Sequence, residues 1–587
     1  MADARSLARM FDWRVKRSQN LAALRFRVAG GFRDLTYGEW QARARRAARG
    51  LMGLGVGVGD RVALLTRPSA PWAVMEMGTT LAGAVCVPLY PTAPVDHLLD
   101  TVAACEARVL VVDRPEQLRH IWDERHRIPT VERVVVLHRD GPSTSGTDSE
   151  GPRQPHLWLD ELLDAWSATD GDDQLAREER LTASSPAAVV MTAGTTEAQE
   201  AVALTHGHLT SQAEALADAL ALSDGDVLLL GQPPAWAFAR ALLLASVRAG
   251  AITALSPDQE TALEDARDVH PTLFAATTTL CERLYRGVVA DLPDRSVAGQ
   301  RVLAWARSLG TEVSRMRESG KPPDRFLSLQ RSLASRLAFG PLRARFGGRL
   351  RLLVGSGGRM PRSVAELFDA ADLRLVEAYA LTGASGVAHV GSPTGCPPGS
   401  VGRALPGIES RVEDQQILLR GPSVVGDWLA TGDLGRLDDD GLLWLIGRRS
   451  QRITLAGGQT VDPAALESLL RQHPFVEHAA VCGHGRDYVG AVIALDRRTV
   501  TRWAERRGLS MPFEDLCSHP DVYGLVQGHV QEKNSELADF ECIRKIALVD
   551  GAPSEETGDL TPIGLLRRAP FLERYRWIVD SFYSEAY

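Results

Sequence analysis

The sequence predicts an α/β protein, with a large layered N-terminal domain over residues 1–447 and a small α+β C-terminal domain over residues 448–587. Three observations predict it. Short apolar strand-like runs alternate with helical patterns along the first part of the chain. After Gly447 a polar, hinge-like stretch, GRRSQR, precedes a second set of strand signals. The 587 residues, 44% hydrophobic and 24% charged, suffice for a large core and more than one domain.

The elements follow in order. Gln41–Leu54 carries Ala, Arg and Leu at helical spacing and ends on glycines. Asp60–Leu65 reads as a short buried strand, Trp72–Ala84 as a helix, and Val85–Leu89 and Ala107–Val112 as strands. Arg139–Pro155 is rich in Ser, Gly and Pro and reads as a surface loop. Two Arg-rich helices are expected near Gln300–Arg317 and Arg325–Phe346, split by a polar break at Glu318–Pro323. Gly441–Ile446 is a strand leading into the second domain, whose own strands are Ala479–Cys482, Ala491–Leu495 and Ile546–Val549.

Composition excludes several function classes. The formal charge is −8, which argues against a nucleic-acid-coating protein. Seven scattered cysteines with no close CxxC pair exclude a disulfide scaffold and the usual zinc spacings, so no metal ligand is assigned. The first twenty residues mix charged and apolar side chains without a signal core. No run of 18 apolar residues occurs, and the nearest approach, Ala241–Val247, is far too short to span a bilayer. A soluble, cytoplasmic protein is expected, with a peripheral membrane contact left open. Only Lys16, Lys321, Lys533 and Lys545 are lysine; the other 62 basic residues are arginine.

Five ordered segments resemble the adenylate-forming (AMP-binding) superfamily of acyl-CoA synthetases. They are Met191–His206 (MTAGTTEAQEAVALTH), Glu377–Ser385 (EAYALTGAS), Ala430–Gly435 (ATGDLG), Ile453–Pro463 (ITLAGGQTVDP) and Leu560–Arg568 (LTPIGLLRR). The two Arg-rich helices leading into FGGRLRLLVGSGG are similar to the long-chain fatty acid–CoA ligase branch. The resemblance implies two steps: a fatty-acid carboxylate attacks the α-phosphate of ATP to give an acyl-adenylate and diphosphate, then the CoA thiol displaces AMP. It implies ATP and magnesium as cofactors, CoA as acceptor, and a fatty acid or acyl derivative as partner.

The residues that the resemblance assigns to nucleotide binding are Thr192, Gly194, Thr195, Thr196, Gly357, Gly358, Tyr379, Thr382, Asp433 and Arg448; Gly457 and Gly458 match the loop that admits CoA. Of these, Tyr379 would stack on adenine, Asp433 would accept both ribose hydroxyls and Arg448 would contact the ribose. The catalytic positions themselves are replaced. Bringing a carboxylate to a polyphosphate needs cationic donors and a metal, yet Glu200 stands at the family's loop lysine and Gly383 at its magnesium-holding glutamate. Trp236 stands at the histidine beside the acyl carboxylate, and Leu565 at the lysine of the C-terminal domain.

Two unit charges about 4 Å apart interact by roughly 4 kcal/mol at an effective dielectric of 20, so exchanging attraction for repulsion at Glu200 costs several kcal/mol if its side chain points inward. Drift toward arginine would have kept the charge at the two lysine positions; Glu200 and Leu565 do not. Arg567 and Arg568 are the candidates for partial substitutes. Weak ATP binding and weak or absent ligase activity are therefore expected. The alternatives are a non-catalytic acyl-, nucleoside- or protein-partner-binding protein on the ligase fold, or an enzyme that takes a pre-formed acyl-adenylate or acyl-CoA.

Overall fold

A computed structural model describes residues 6–139, 156–165, 171–192, 200–290, 297–318, 325–393, 396–555, 557–561 and 563–584. The expected loop at Arg139–Pro155 and the break at Glu318–Pro323 lie almost entirely outside the described residues.

Two large sheets build the N-terminal part. One has nine strands, and its centre is the parallel set Ile252–Leu255, Val227–Leu230, Leu273–Thr277, Leu352–Ser356 and Leu375–Leu381. The other has seven strands and is parallel except for its last member, Ala201–Thr205. Parallel strands are buried on both faces, which is why they read as continuous Val/Leu/Ala runs. The strands expected at Asp60–Leu65 and Ala107–Val112 are Arg61–Leu65 and Val109–Val112, and Val85–Leu89 is as expected. The helix expected to reach Ala84 stops at Leu81, where Gly83 takes a left-handed φ of 75° and turns the chain into the next strand.

The apolar run Ala241–Val247 lies in the helix Ala237–Ala249, which is buried from Ala237 through Val247 within the largest hydrophobic core. Its one buried charge, Arg240, is ion-paired with Glu76 at 2.8 Å, and a helix otherwise so apolar belongs inside the protein. Among the described residues no helix is long and apolar enough to cross a membrane.

A four-stranded antiparallel sheet, ending with Leu429–Leu437 and Leu443–Arg448, follows. The last strand was expected at Gly441–Ile446. It starts later and runs on through Arg448, because Arg448 pairs in register with Asp433. The final segment has its own three-stranded sheet, Val476–Cys482, Val489–Leu495 and Ile543–Val549, over a separate hydrophobic cluster. It docks on the N-terminal part through the helix Thr278–Ala290. Glu282, with its side chain 4% exposed, receives two hydrogen bonds from Arg471 at 2.9 and 3.2 Å, and Arg286 donates to the carbonyls of Val476 and Glu477.

Candidate functional site

The register of the central sheet gathers the site. Thr277 lies opposite Ser356, and Gly355 opposite Glu377. The segments leaving the carboxyl ends of these strands therefore share one rim, where α/β folds bind ligands. That rim carries Trp236, Thr278, Gly357, Gly358 and Tyr379.

The residues expected at the nucleoside end form a connected set. Asp433 and Arg448 face each other across a ladder, and Arg448 Nε donates to Asp433 Oδ1 at 3.0 Å. The Tyr379 hydroxyl donates to Asp433 Oδ2 at 2.6 Å. Both carboxylate oxygens are thus oriented, and each keeps a second lone pair for a further donor. Burial, followed by the charge of Asp433, pushes the Tyr379 phenol well above its ordinary pKa, so it stays a donor. Thr382 begins the short helical turn after this strand, and its carbonyl accepts from Ser385 N.

The residues expected at the phosphate end are arranged differently. Gly194, Thr195 and Thr196 lie outside the described residues. At the foot of that loop the Thr192 amide donates to the Glu200 carbonyl at 2.9 Å, and the Glu200 amide donates to Thr192 Oγ1 at 2.9 Å. This pairing leaves Glu200 exposed. At Gly383 a Cβ would meet the Leu429 side chain at 2.8 Å, so leucine fills the space a glutamate would need. The donor set therefore does not fit magnesium at the position where the resemblance puts its carboxylate.

Leu565 sits on a tight hairpin. Thr561 N donates to Leu565 O at 2.7 Å, Leu565 N to Thr561 Oγ1 at 3.0 Å, and Gly564 takes a φ of 77° at the tip. The hairpin lies on the rim: Ile563 and Leu565 pack into the N-terminal core, and Gly564 faces Thr279. Trp236 is buried, with its ring centroid 4.8 Å from that of Phe238. A Cβ on Gly357 would stand 3.4 Å from the Trp236 indole and 3.7 Å from Ile563, so indole, glycine and isoleucine form one apolar contact. Gly358 is held by Thr278 Oγ1, which donates to its carbonyl at 3.1 Å. Sequence reasoning singled out Trp236 and Leu565 but missed Ile563, Leu429 and Thr278. Ile563 lay inside the quoted LTPIGLLRR, and Leu429 immediately precedes ATGD.

Other expected residues lie elsewhere. Arg568 is no substitute cation, because it donates to both oxygens of Glu467, at 2.6 and 2.9 Å, and is thereby committed. Arg567 lines a cavity of about 1020 Å³ with Thr92, His97, Met191, Arg452 and Arg486. Tyr379, Asp433 and Trp236 are absent from that lining. Gly457 and Gly458 are exposed on the turn between Ile453–Thr454 and Thr460–Val461, beside Arg486, whose carbonyl accepts from Ala456 N.

Beneath the rim, Glu377 is buried, and its Oε1 accepts from Gly399 N at 3.1 Å. Burial pushes its carboxyl up to about 8, from an ordinary value of 4.5. The folded state then holds a proton that the unfolded chain releases, so stability falls as pH rises between these values. Glu377→Gln should gain on wild type by about 1.4 kcal/mol per pH unit through that window. Denaturant unfolding of both proteins at pH 6 and pH 8 checks this; an unchanged difference would contradict a protonated Glu377.

Comparison with known proteins agrees with this fold. Residues 11–432 match the family model described as AMP-binding enzyme, and residues 450–587 match the AMP-binding enzyme C-terminal domain. The chain is 28% identical over 579 residues to the long-chain-fatty-acid–CoA ligase FadD15 of Mycobacterium tuberculosis, covering 95% of this chain and 94% of that one. It is 23% identical to the mouse long-chain-fatty-acid–CoA ligase ACSBG2, covering 98% and 93%. The solved anthranilate CoA ligase AuaEII, in complex with anthranoyl-AMP, superposes with a TM-score of 0.71 at 21% identity, covering 98% of both chains. The A domain of a carboxylic acid reductase from Segniliparus rugosus, in complex with AMP, superposes with a TM-score of 0.71 at 16% identity, covering 99% of this chain and 94% of that one. With both family models matched in order and the relatives covered nearly end to end, the chain belongs to the AMP-binding enzyme family.

Proposed function

We propose that the chain is a long-chain fatty acid–CoA ligase homologue that keeps the nucleoside end of its site and has weak or no adenylation. One observation carries the reading: the hairpin expected to deliver a cation to the rim delivers Ile563, which sits against Gly357 beside Trp236, and Leu565, which packs on the same hydrophobic core. An apolar contact there cannot offset the charge of a carboxylate approaching a phosphate. Substrate class follows from the relatives' names, and ATP, magnesium and CoA from the family, with ATP–magnesium held weakly. Thr192, Gly194, Thr195, Thr196, Gly357, Gly358 and Thr382 would line the nucleotide, and Gly457 and Gly458 would admit CoA.

The same reading divides the chain at 447/448, supported by the separate cluster over the C-terminal sheet. It also treats Trp236 as narrowing the acyl tunnel mouth, supported by its burial against Phe238. The runner-up is a non-catalytic acyl-, nucleoside- or protein-binding role, and the polar trio Tyr379, Asp433 and Arg448 favours its nucleoside form. The test is AMP release by purified protein with ATP, magnesium, CoA and a panel of fatty acids. Release at background is expected; sustained turnover on any acid would contradict the loss of adenylation.

A further inference from the structure

The helices Val297–Glu318 and Arg325–Arg345 pack on each other and bury one face in a second hydrophobic core, through Leu303, Leu309, Ala334, Ala338 and Leu342. The opposite face of the second helix is apolar too. Phe326 and Leu329 are each 68% exposed, Leu333 is 54% and Leu337 is 63%. Their spacing of three, four and four places them in one stripe along the helix. Trp305 adds a further exposed ring on the companion helix. A surface helix ordinarily puts polar side chains there, and a contiguous apolar stripe marks an interaction surface.

Charge selects the occupant. Between residues 297 and 345 the sequence has ten basic residues and three acidic ones, within a chain whose formal charge is −8. Arg301, Arg307, Arg336 and Arg345 are exposed on these two helices. A second copy of this face would set like charge against like charge. An apolar stripe on a helix pair rich in exposed arginine instead matches an anionic lipid surface, with the apolar side chains at the acyl boundary and arginines available to the phosphates. We propose that this helix pair docks the protein in the interface plane of a membrane containing anionic phospholipid. No described helix crosses a bilayer, which suits a docked rather than a spanning mode.

The experiment is co-sedimentation of the full chain with phosphatidylcholine vesicles, with and without about 30% phosphatidylglycerol. Wild type should bind the anionic vesicles at least about tenfold more tightly than the neutral ones, and lose that margin in high salt. Leu329→Gln, Leu333→Gln and Leu337→Gln combined should weaken anionic binding by at least about tenfold with an unchanged thermal midpoint. Arg301→Glu with Arg336→Glu should weaken it as well, and this pair decides the matter if the triple variant folds poorly. Absent wild-type binding, or variants that bind like wild type, would overturn the proposal. So would a wild-type dimer that the triple variant converts to monomer, since the stripe would then be a contact between copies.

Discussion

Combined Glu200→Lys, Gly383→Glu, Trp236→His and Leu565→Lys should raise AMP release over wild type by on the order of a hundredfold, while Leu565→Lys alone stays near background. The single change puts one ammonium on the hairpin but leaves in place the apolar contact of Trp236, Gly357 and Ile563 on the same rim. A lone ammonium at this half-buried position, beside apolar neighbours, returns little until the phosphate and the other cation are held. Groups that act as a unit in the transition state are non-additive, so most of the gain should come with the last change.

Gly383→Glu has its own obstacle, the Leu429 side chain 2.8 Å from the new Cβ. Adding Leu429→Ala should therefore increase the gain of the combined variant. A rise of a hundredfold from Leu565→Lys alone would mean that the rest of the site had been intact.

Much of this architecture was legible in the chain. Buried parallel strands such as Val85–Leu89 announce themselves as short apolar runs, because both faces are covered. The motifs carrying Tyr379, Asp433 and Leu565 were visible as ordered segments. What could not be read is what depends on docking between distant segments. The strand Leu443–Arg448 extends to Arg448 because its partner is Asp433, fifteen residues earlier. The filling of the Gly383 space by Leu429, the capture of Arg568 by Glu467 and the seating of Ile563 on Gly357 are contacts across 46, 101 and 206 positions of sequence. No local pattern encodes them. Glu200 was legible as a charge reversal, but its exposure follows from the pairing of its own backbone with Thr192.

The nucleoside end and the phosphate end of the site should separate in a binding experiment. On the proposed reading AMP would use the carboxylate of Asp433 for its ribose, and Tyr379 and Arg448 already orient that carboxylate. The additional phosphates of ATP meet no lysine at Glu200 or Leu565 and no metal-holding carboxylate at Gly383. A charge-assisted hydrogen bond contributes about 1.5–3 kcal/mol, so two missing cations remove most of what those phosphates would add. Isothermal titration of the purified chain with AMP and with ATP–magnesium measures both ends at once. We expect AMP to bind at least as tightly as ATP–magnesium, and Asp433→Ala to weaken both by about tenfold or more. ATP–magnesium binding tenfold or more tighter than AMP would show a working phosphate site and contradict the loss of adenylation.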